Sequence, residues 1–572
     1  MHWNSRPITS RIAHFALAFA AAGTLPAIAS AQTGEDRPNF LIVVADDMGW
    51  SDIGPTGGEI RTPTLDELAS QGVTFTNFHV APTCSPTRAM LMTGLPNHET
   101  GVGTQHTQQA PNQLDDIDYG GQLHDGVVTV AEALGSVGYQ SMMTGKWHLG
   151  FEPDQFPSAR GFDQTFILVE GGASHFADRQ VISPTEPITY LENGQPVELE
   201  PDFYSTITYT DKLLTQLEQR APGMPFFAYL SYTAPHDPLQ VPDDWLDRYA
   251  GAYDAGPAAI SAARAQRQIE LGILPADAPL PIPFGVPPFL PSFKGPWEQR
   301  SAADRAADAR PMEIYASMIE LMDQQIGRVV DYLDREGELE NTVILFMSDN
   351  GASIATPLAY PGVTKQWLEA TFDMSVENMG KPGSTTYMGL EWAQAANTPN
   401  ALFKVVTAQG GIRSPLIASG PNVPQLGYAD QLTFVTDIAA TVFEMAGFDP
   451  NTAPIYEDKP KPWGVPLAAS LAGEKRDPVI VELYGNVAVF DDGMKLSRID
   501  RPFGTTEWAL YDLRSDPGET RDLASEQPDV VAEMAASYDA YAEATGVIEP
   551  EPRLKRSVRY GYAGPCNWHC EA

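Results

Sequence analysis

Residues 40–45 are apolar without a break, and the run stops at Asp46-Asp47. A continuous apolar run of this length reads as a strand buried on both faces, the form that strands take in a parallel sheet. Three later runs have the same texture. Residues 139–143 lead to Gly145-Lys146, residues 226–232 to Pro235-His236-Asp237, and residues 342–347 to Ser348-Asp349-Asn350. Helical signals lie between them. Thr62 stands as an N-cap before Pro63 in a helix over 62–68, and 127–134 forms another. Met312, Tyr315, Ile319, Met322, Ile326, Val329 and Leu333 recur every three or four residues, one apolar stripe on a long helix. Alternation of strands and helices predicts an α/β fold built on a large, mostly parallel sheet between helices.

Two stretches break the pattern. Residues 275–296 are rich in proline, and residues 352–399 are rich in glycine, asparagine and aromatics. Both read as long insertions, and long loops tend to carry function. After about residue 464 the texture changes to short strands at 479–483, 487–490, 494–499 and 508–511, then a helix at 528–544. The expected organisation is a domain over 37–464, a smaller antiparallel sheet plus helix over 465–550, and a tail over 551–572.

The first 31 residues differ from the rest. Arg6 and Arg11 precede a short apolar stretch, and Ala29-Ser30-Ala31 precedes Gln32. This is the layout of a secretory signal peptide with a small-x-small cleavage site. The stretch is too short for a membrane span, and no later segment is long enough. The mature chain is expected to be exported, to a periplasm or outside the cell. Its charge is lopsided: 36 Lys+Arg against 74 Asp+Glu give −38, and loss of the leader's two arginines leaves −40. Such a field repels nucleic acid and anionic membranes, so neither is an expected partner. Three cysteines in 572 residues exclude a disulfide scaffold. In an exported protein, Cys566 and Cys570 are expected to pair in the tail.

Polar residues repeatedly follow apolar strands, and an open α/β sheet binds ligands at its strands' carboxyl ends. Asp46, Asp47, Asp349 and Asn350 offer four oxygen-bearing side chains from two such ends. Hard oxygen donors without a soft ligand suit Ca²⁺ or Mg²⁺ rather than zinc. Taken singly, Asp46-Asp47 is also a solvated loop, and His148 or His236 a satisfied core histidine. Lys146 and Lys404 are also surface charges, and Cys84 a small buried residue in a turn.

The eleven-residue string Cys84-Ser85-Pro86-Thr87-Arg88-Ala89-Met90-Leu91-Met92-Thr93-Gly94 resembles the sulfatase signature. Further blocks resemble that family in order, from about residue 37 to 525. They are Pro38-Asn39 through Asp46-Asp47 to Gly49-Trp50, Gly145-Lys146-Trp147-His148-Leu149-Gly150, Pro235-His236, and Ser348-Asp349-Asn350-Gly351. Lys404 six residues before Gly410-Gly411-Ile412-Arg413 and Leu510-Tyr511-Asp512-Leu513 complete the set. Gln409 stands where a glutamate is usual. The resemblance, to the larger bacterial arylsulfatases of the alkaline phosphatase superfamily, implies a formylglycine (3-oxoalanine) made from Cys84 by a maturation enzyme that reads Pro86 and Arg88. It implies one Ca²⁺ held by Asp46, Asp47, Asp349, Asn350 and an oxygen of the modified Cys84, with Mg²⁺ as the other hard ion. Arg88 and Lys146 then hold the hydrated aldehyde, Lys404 grips the sulfate, His236 is the general acid and His148 the base.

The expected activity is hydrolysis of aryl or other small sulfate monoesters, since a chain this acidic repels dense polyanions. A phosphonate monoester or phosphodiester hydrolase of the same superfamily is the second reading, and Asn350 favours sulfate over it. A binding protein with unconverted Cys84 would have no need of the basic and acid/base residues. A cysteine protease lacks its paired histidine and asparagine pattern. The sequence leaves self-association open.

Overall fold

The computed structural model describes residues 37–106, 108–281 and 295–551. The leader, the tail with Cys566 and Cys570, and most of the proline-rich insertion lie outside them. Among the described residues, eleven strands form one mixed sheet. They are β1 (Asn39–Ala45), β2 (Val73–His79), β3 (Gln140–Lys146), β4 (Gln164–Leu168), β5 (Tyr190–Glu192), β6 (Gln195–Pro196), β7 (Phe226–Ser231), β8 (Thr342–Ser348), β9 (Arg413–Ser419), β10 (Gly427–Ala429) and β11 (Thr433–Phe434). The order is β10-β2-β9-β8-β1-β7-β3-β4-β5-β6, with β11 also on β2. The central five, β8-β1-β7-β3-β4, pair in parallel, whereas β9 runs antiparallel between β8 and β2.

The alternating side chains of β1 enter two different cores, as a doubly covered strand must. Phe40, Ile42 and Val44 pack on one face of the sheet, while Leu41, Val43 and Ala45 pack on the other. The apolar stripe lies on a helix spanning Ala302–Arg335, and all seven of its residues are buried in the second core. A separate sheet, β12 (Val479–Leu483), β13 (Asn486–Asp491), β14 (Met494–Arg498) and β15 (Trp508–Asp512), is antiparallel throughout. The helix Pro528–Thr545 covers it through Met534 and Tyr538. The other face of β12 and β13 joins the first main core through Val479, Val481, Ala488 and Phe490.

Some local expectations change. Thr62 takes the cap position of helix Pro63–Gln71, but its hydroxyl donates to Asp66 and accepts from the Gly54 N–H, so it does not cap the helix. The helix expected over 127–134 begins at Val130, because Thr129 and Glu132 close a reciprocal capping box there. Residues 352–399 are not wholly irregular: they contain the short helices Lys365–Thr371 and Leu390–Ala396. Among the described residues, no helix is long and apolar enough to cross a membrane.

Ile319 is fully buried in the stripe, whereas Asp331 on the same helix is exposed. Ile319→Ala is expected to cost about 2–5 kcal/mol through lost contacts and a cavity. Asp331→Ala is expected to stay within about 0.5 kcal/mol. Denaturant midpoints of the two variants check this.

Candidate active site

The site follows from strand register. β1 and β8 pair in parallel with Ala45 opposite Ser348, so the next residues of both chains emerge side by side. The Asp47 N–H donates to Asp349 Oδ1 at 3.2 Å, and Asn350 Nδ2 donates to Asp47 Oδ1 at 2.6 Å. Asp47 holds a left-handed backbone, φ 64°, uncommon for a residue with a Cβ. Lys146 is the last residue of β3, and His236 follows β7, the strand between β1 and β3. β2 runs parallel to the central strands and leads into helix Cys84–Thr93, which Cys84 opens. Because β9 is antiparallel, its starting end lies on the same side, and the loop before it carries Lys404. Nine of the ten residues expected from the sequence therefore come from loops or element ends at this one edge, and Arg88 joins them from within helix Cys84–Thr93.

Charged groups are tightly interleaved there. Cys84 Sγ lies 3.3 Å from Asp46 Oδ1, 3.7 Å from Asp47 Oδ1 and 3.2 Å from Lys404 Nζ. Lys146 Nζ donates to Asp46 Oδ2 at 2.6 Å, and Lys404 Nζ to Asp47 Oδ1 at 2.5 Å. Arg88, fully buried, donates through Nε and Nη2 to Asp349 Oδ2 at 2.9 and 2.7 Å. Its Nη1 reaches Ser231 Oγ and the Lys146 carbonyl. Arg88 thus contacts Asp349 and the end of β3, with Asp46 Oδ2 3.7 Å from its Nη2.

Burial alone would raise the Asp46 carboxyl, but Lys146, His236, Arg88 and Lys404 outweigh it and hold Asp46 ionised. Asp349 moves the other way, to about 6, from burial and from the charge on Asp46. Adjacent buried carboxylates divide in this manner when one charge disfavours the next. The Cys84 thiol is pushed well above its usual value by burial and then by Asp349 and Asp46, despite the two lysines.

The residues present fit a hard divalent cation. Asp47 Oδ2 and Asn350 Oδ1 are buried without a hydrogen-bond partner among the described residues. Three carboxylates converge, and a cation would let them ionise together. Donor atoms of Asp46, Asp47, Cys84 and His236 lie within 4.8 Å of one another. Burial pulls the His236 imidazole down, but Asp237, Asp47 and Asp46 raise it to about 9.

Two histidines with opposite character share the cavity. His236 Nδ1 lies 2.6 Å from the Asp237 carbonyl and 3.0 Å from Asp237 Oδ1, leaving Nε2 facing Asp47 at 3.6 Å. His148 is pushed well below its usual value by burial and then by Lys146 and Arg88, and its Nδ1 is buried without a partner. Both rings rest on glycines that the sequence pattern did not single out. A Cβ on Gly171 would stand 2.7 Å from His148 Cε1, and one on Gly172 would stand 3.1 Å from His236 Cε1. The adjacent pair just after β4 was the available signal.

A cavity of about 140 Å³ opens onto Cys84, His148, His236 and Lys404. Its outer wall includes Ile182, Ile354, Tyr360, Pro361, Tyr484 and His106. Tyr360 comes from the 352–399 insertion and donates to both oxygens of Asp237 at 3.0 and 3.1 Å. Tyr484 comes from the turn between β12 and β13, so the small sheet contributes to the pocket. His98 does not line the cavity, since it pairs with Glu482 at 2.7 Å and Tyr541 at 3.2 Å. Arg413 sits over the Trp50 ring and donates to the Thr76 carbonyl and Asn400, a structural charge.

Buried cations beside a carboxylate cluster and two histidines with opposed shifts suit a negatively charged substrate. A sulfatase family model matches residues 38–448. The chain is 38% identical over 542 residues to an uncharacterized sulfatase of Schizosaccharomyces pombe, covering 90% of this chain and 95% of that protein. It is 38% identical over 421 residues to an arylsulfatase of Klebsiella aerogenes, covering 73% and 88%. The fold is shared with a sulfatase of Pseudoalteromonas sp. at TM-score 0.59 and 19% identity, covering 91% of this chain and 92% of that one. A structure solved with its substrate D-glucosamine-2-N,6-O-disulfate also shares it, at TM-score 0.59 and 20% identity, covering 91% and 100%. The chain belongs to the sulfatase family, with its alkaline-phosphatase-like fold, and is a sulfuric ester hydrolase.

Gly171→Ala is expected to displace the His148 ring and lower kcat on an aryl sulfate by about 10²-fold, the usual cost of misplacing a reacting group by an ångström. Gly135→Ala, where a Cβ meets nothing within 4 Å, is expected to leave kcat unchanged. Steady-state kinetics on the two purified variants checks both.

Proposed function

We propose that the protein is an exported arylsulfatase-type enzyme that hydrolyses aryl or other small sulfate monoesters, using a formylglycine made from Cys84 beside a Ca²⁺ ion. The observation that carries this reading is the Cys84 thiol. Its Sγ lies 3.3 Å from Asp46 Oδ1, 3.7 Å from Asp47 Oδ1 and 3.2 Å from Lys404 Nζ, so residue 84 stands where the carboxylate cluster and the buried cations meet. When present, the formylglycine hydrate supplies that nucleophile and a route to release sulfate by elimination, while Ca²⁺ supplies Lewis-acid charge.

The chain's own residues supply the rest. Lys404 Nζ, 3.2 Å from the sulfur of residue 84, is placed to take a sulfate oxygen as the ester binds. Lys146, tied to Asp46, adds a second positive charge at the end of β3. Both stabilise charge that develops around sulfur. Arg88 fixes Asp349 and the Lys146 carbonyl, setting the geometry around residue 84. His236, kept cationic by Asp237, Asp47 and Asp46, donates the Nε2 proton to the departing oxygen. His148, kept neutral beside Lys146 and Arg88, would accept a proton from the group at residue 84. Cys84, Pro86 and Arg88 are all buried, so a maturation enzyme has to meet this segment before folding closes over it. The N-terminal basic, apolar and Ala-Ser-Ala segments support export.

Peptide mass analysis of the secreted protein is expected to find formylglycine at position 84, and Cys84→Ala is expected to lose at least about 10³-fold in kcat. An unmodified cysteine in a fully active preparation overturns the nucleophile. Chelation is expected to abolish turnover and Ca²⁺ to restore it, so undiminished turnover after metal stripping rules the ion out. Faster cleavage of a matched phosphodiester than of the aryl sulfate would assign the site to phosphoryl transfer instead.

A further inference from the structure

The cavity has a charge pattern that the hydrolysis itself does not use. Lys404 is the one lysine or arginine among its described lining residues, and it is committed to Asp47 and residue 84. The outer wall carries rings and aliphatic side chains, the amides of Gln105 and Gln108, and one acid, Glu186. Among the described residues the Glu186 carboxylate has no hydrogen-bond or ion-pair partner, and burial is what shifts it, pushing the carboxyl up.

The segment that carries Glu186 is fastened in place. Ser183 Oγ donates to the Pro361 carbonyl at 2.7 Å, and Thr185 Oγ1 reaches the same oxygen at 3.4 Å. This ties the segment to the part of the 352–399 insertion that also bears Tyr360. The acid is therefore a built part of the wall. A fixed carboxylate in a partly desolvated pocket repels a second anion strongly and accepts hydrogen bonds from neutral or cationic donors.

We infer that Glu186 is a specificity residue for the leaving group: it excludes esters whose alcohol or phenol carries a second negative charge and favours those presenting a hydroxyl, amide or ammonium donor. The inference rests on the sulfatase reading above and narrows its substrate class to singly charged monoesters.

The test compares 4-carboxyphenyl sulfate with its near-isostere 4-carbamoylphenyl sulfate, as the ratio of their kcat/KM values in one enzyme. Differences in leaving-group chemistry cancel when the ratio is compared between wild type and Glu186→Gln. The ratio is expected to rise about tenfold in Glu186→Gln, as removal of a like charge several ångströms away predicts. A ratio unchanged within about twofold, a shift too small for such a repulsion, overturns the inference. If Glu186→Gln fails to fold, the ratio is read in wild type between low and high salt. It is expected to rise with salt as the repulsion is screened, and a flat ratio overturns the inference. Absence of turnover of both sulfates by the matured enzyme defeats the sulfatase reading itself, a result distinct from an unchanged ratio.

Discussion

The parallel pairing of β1 with β8 is the constraint on which the site depends. Because Ala45 stands opposite Ser348, two acidic strand ends are delivered to one point with no freedom to separate. A slip of one residue would invert every side chain of a strand buried on both faces, so the register is locked by both cores at once. The fold thereby forces Asp46, Asp47 and Asp349 into a volume where they repel. Arg88, Lys146 and Lys404 answer them, each from a different element. Buried charges of this kind are tolerated only when paired and hydrogen-bonded. The outcome is a set of cations held rigidly enough to meet an oxyanion.

A second layer keeps that arrangement in place. Asp52 accepts from the Gly49 N–H at 2.8 Å, from Tyr315 Oη at 2.7 Å and from Arg264 Nη1 at 2.6 Å. Tyr315 belongs to the apolar stripe, so the long helix that builds the core also holds the loop after β1. On the other side, Lys495 of β14 pairs with Glu519 at 2.6 Å, and Glu519 accepts from the Gln409 N–H at 2.7 Å. The small sheet is thus tied to the strap that carries Lys404, in addition to placing Tyr484 in the pocket. Gln409 itself meets His79, 2.9 Å away and pushed down to about 3 by burial. An amide satisfies that neutral ring without placing a further buried charge there.

Much of this was legible in the sequence because it follows from periodicity. Uninterrupted apolar runs marked the central strands, and the residues just after them marked the site, since strand ends in an α/β sheet have a predictable location. The stripe from Met312 to Leu333 had a single helical solution. What the pattern could not reveal comes from segments without a period. Tyr360, Tyr484 and Glu186 lie in loops, and only tertiary contacts such as the one between Ser183 and Pro361 bring them to one wall. Gly171 and Gly172 matter for what they lack, and that requires knowing which rings lie against them. Thr62 looked like a cap, but the nearby Asp66 carboxylate competes successfully for its hydroxyl.

The opposed shifts of the two histidines show how little separates a proton donor from a proton acceptor here. Both rings lie along one cavity, and burial pulls both toward the neutral form. Their neighbours decide the outcome. His148 faces Lys146 and Arg88, which reinforce burial, so it stays neutral and can take a proton. His236 faces Asp237, Asp47 and Asp46, which overcome burial, so it stays charged and can give one. Opposed shifts in adjacent groups are how a single pocket runs acid and base chemistry at one pH. Those opposed shifts arise from neighbouring strand ends: β3 supplies the lysine beside His148, while the segment after β7 supplies Asp237 and that after β1 supplies Asp47 and Asp46 beside His236. The opposed environments of the two rings are therefore a consequence of sheet order, with β7 and its histidine inserted between β1 and β3.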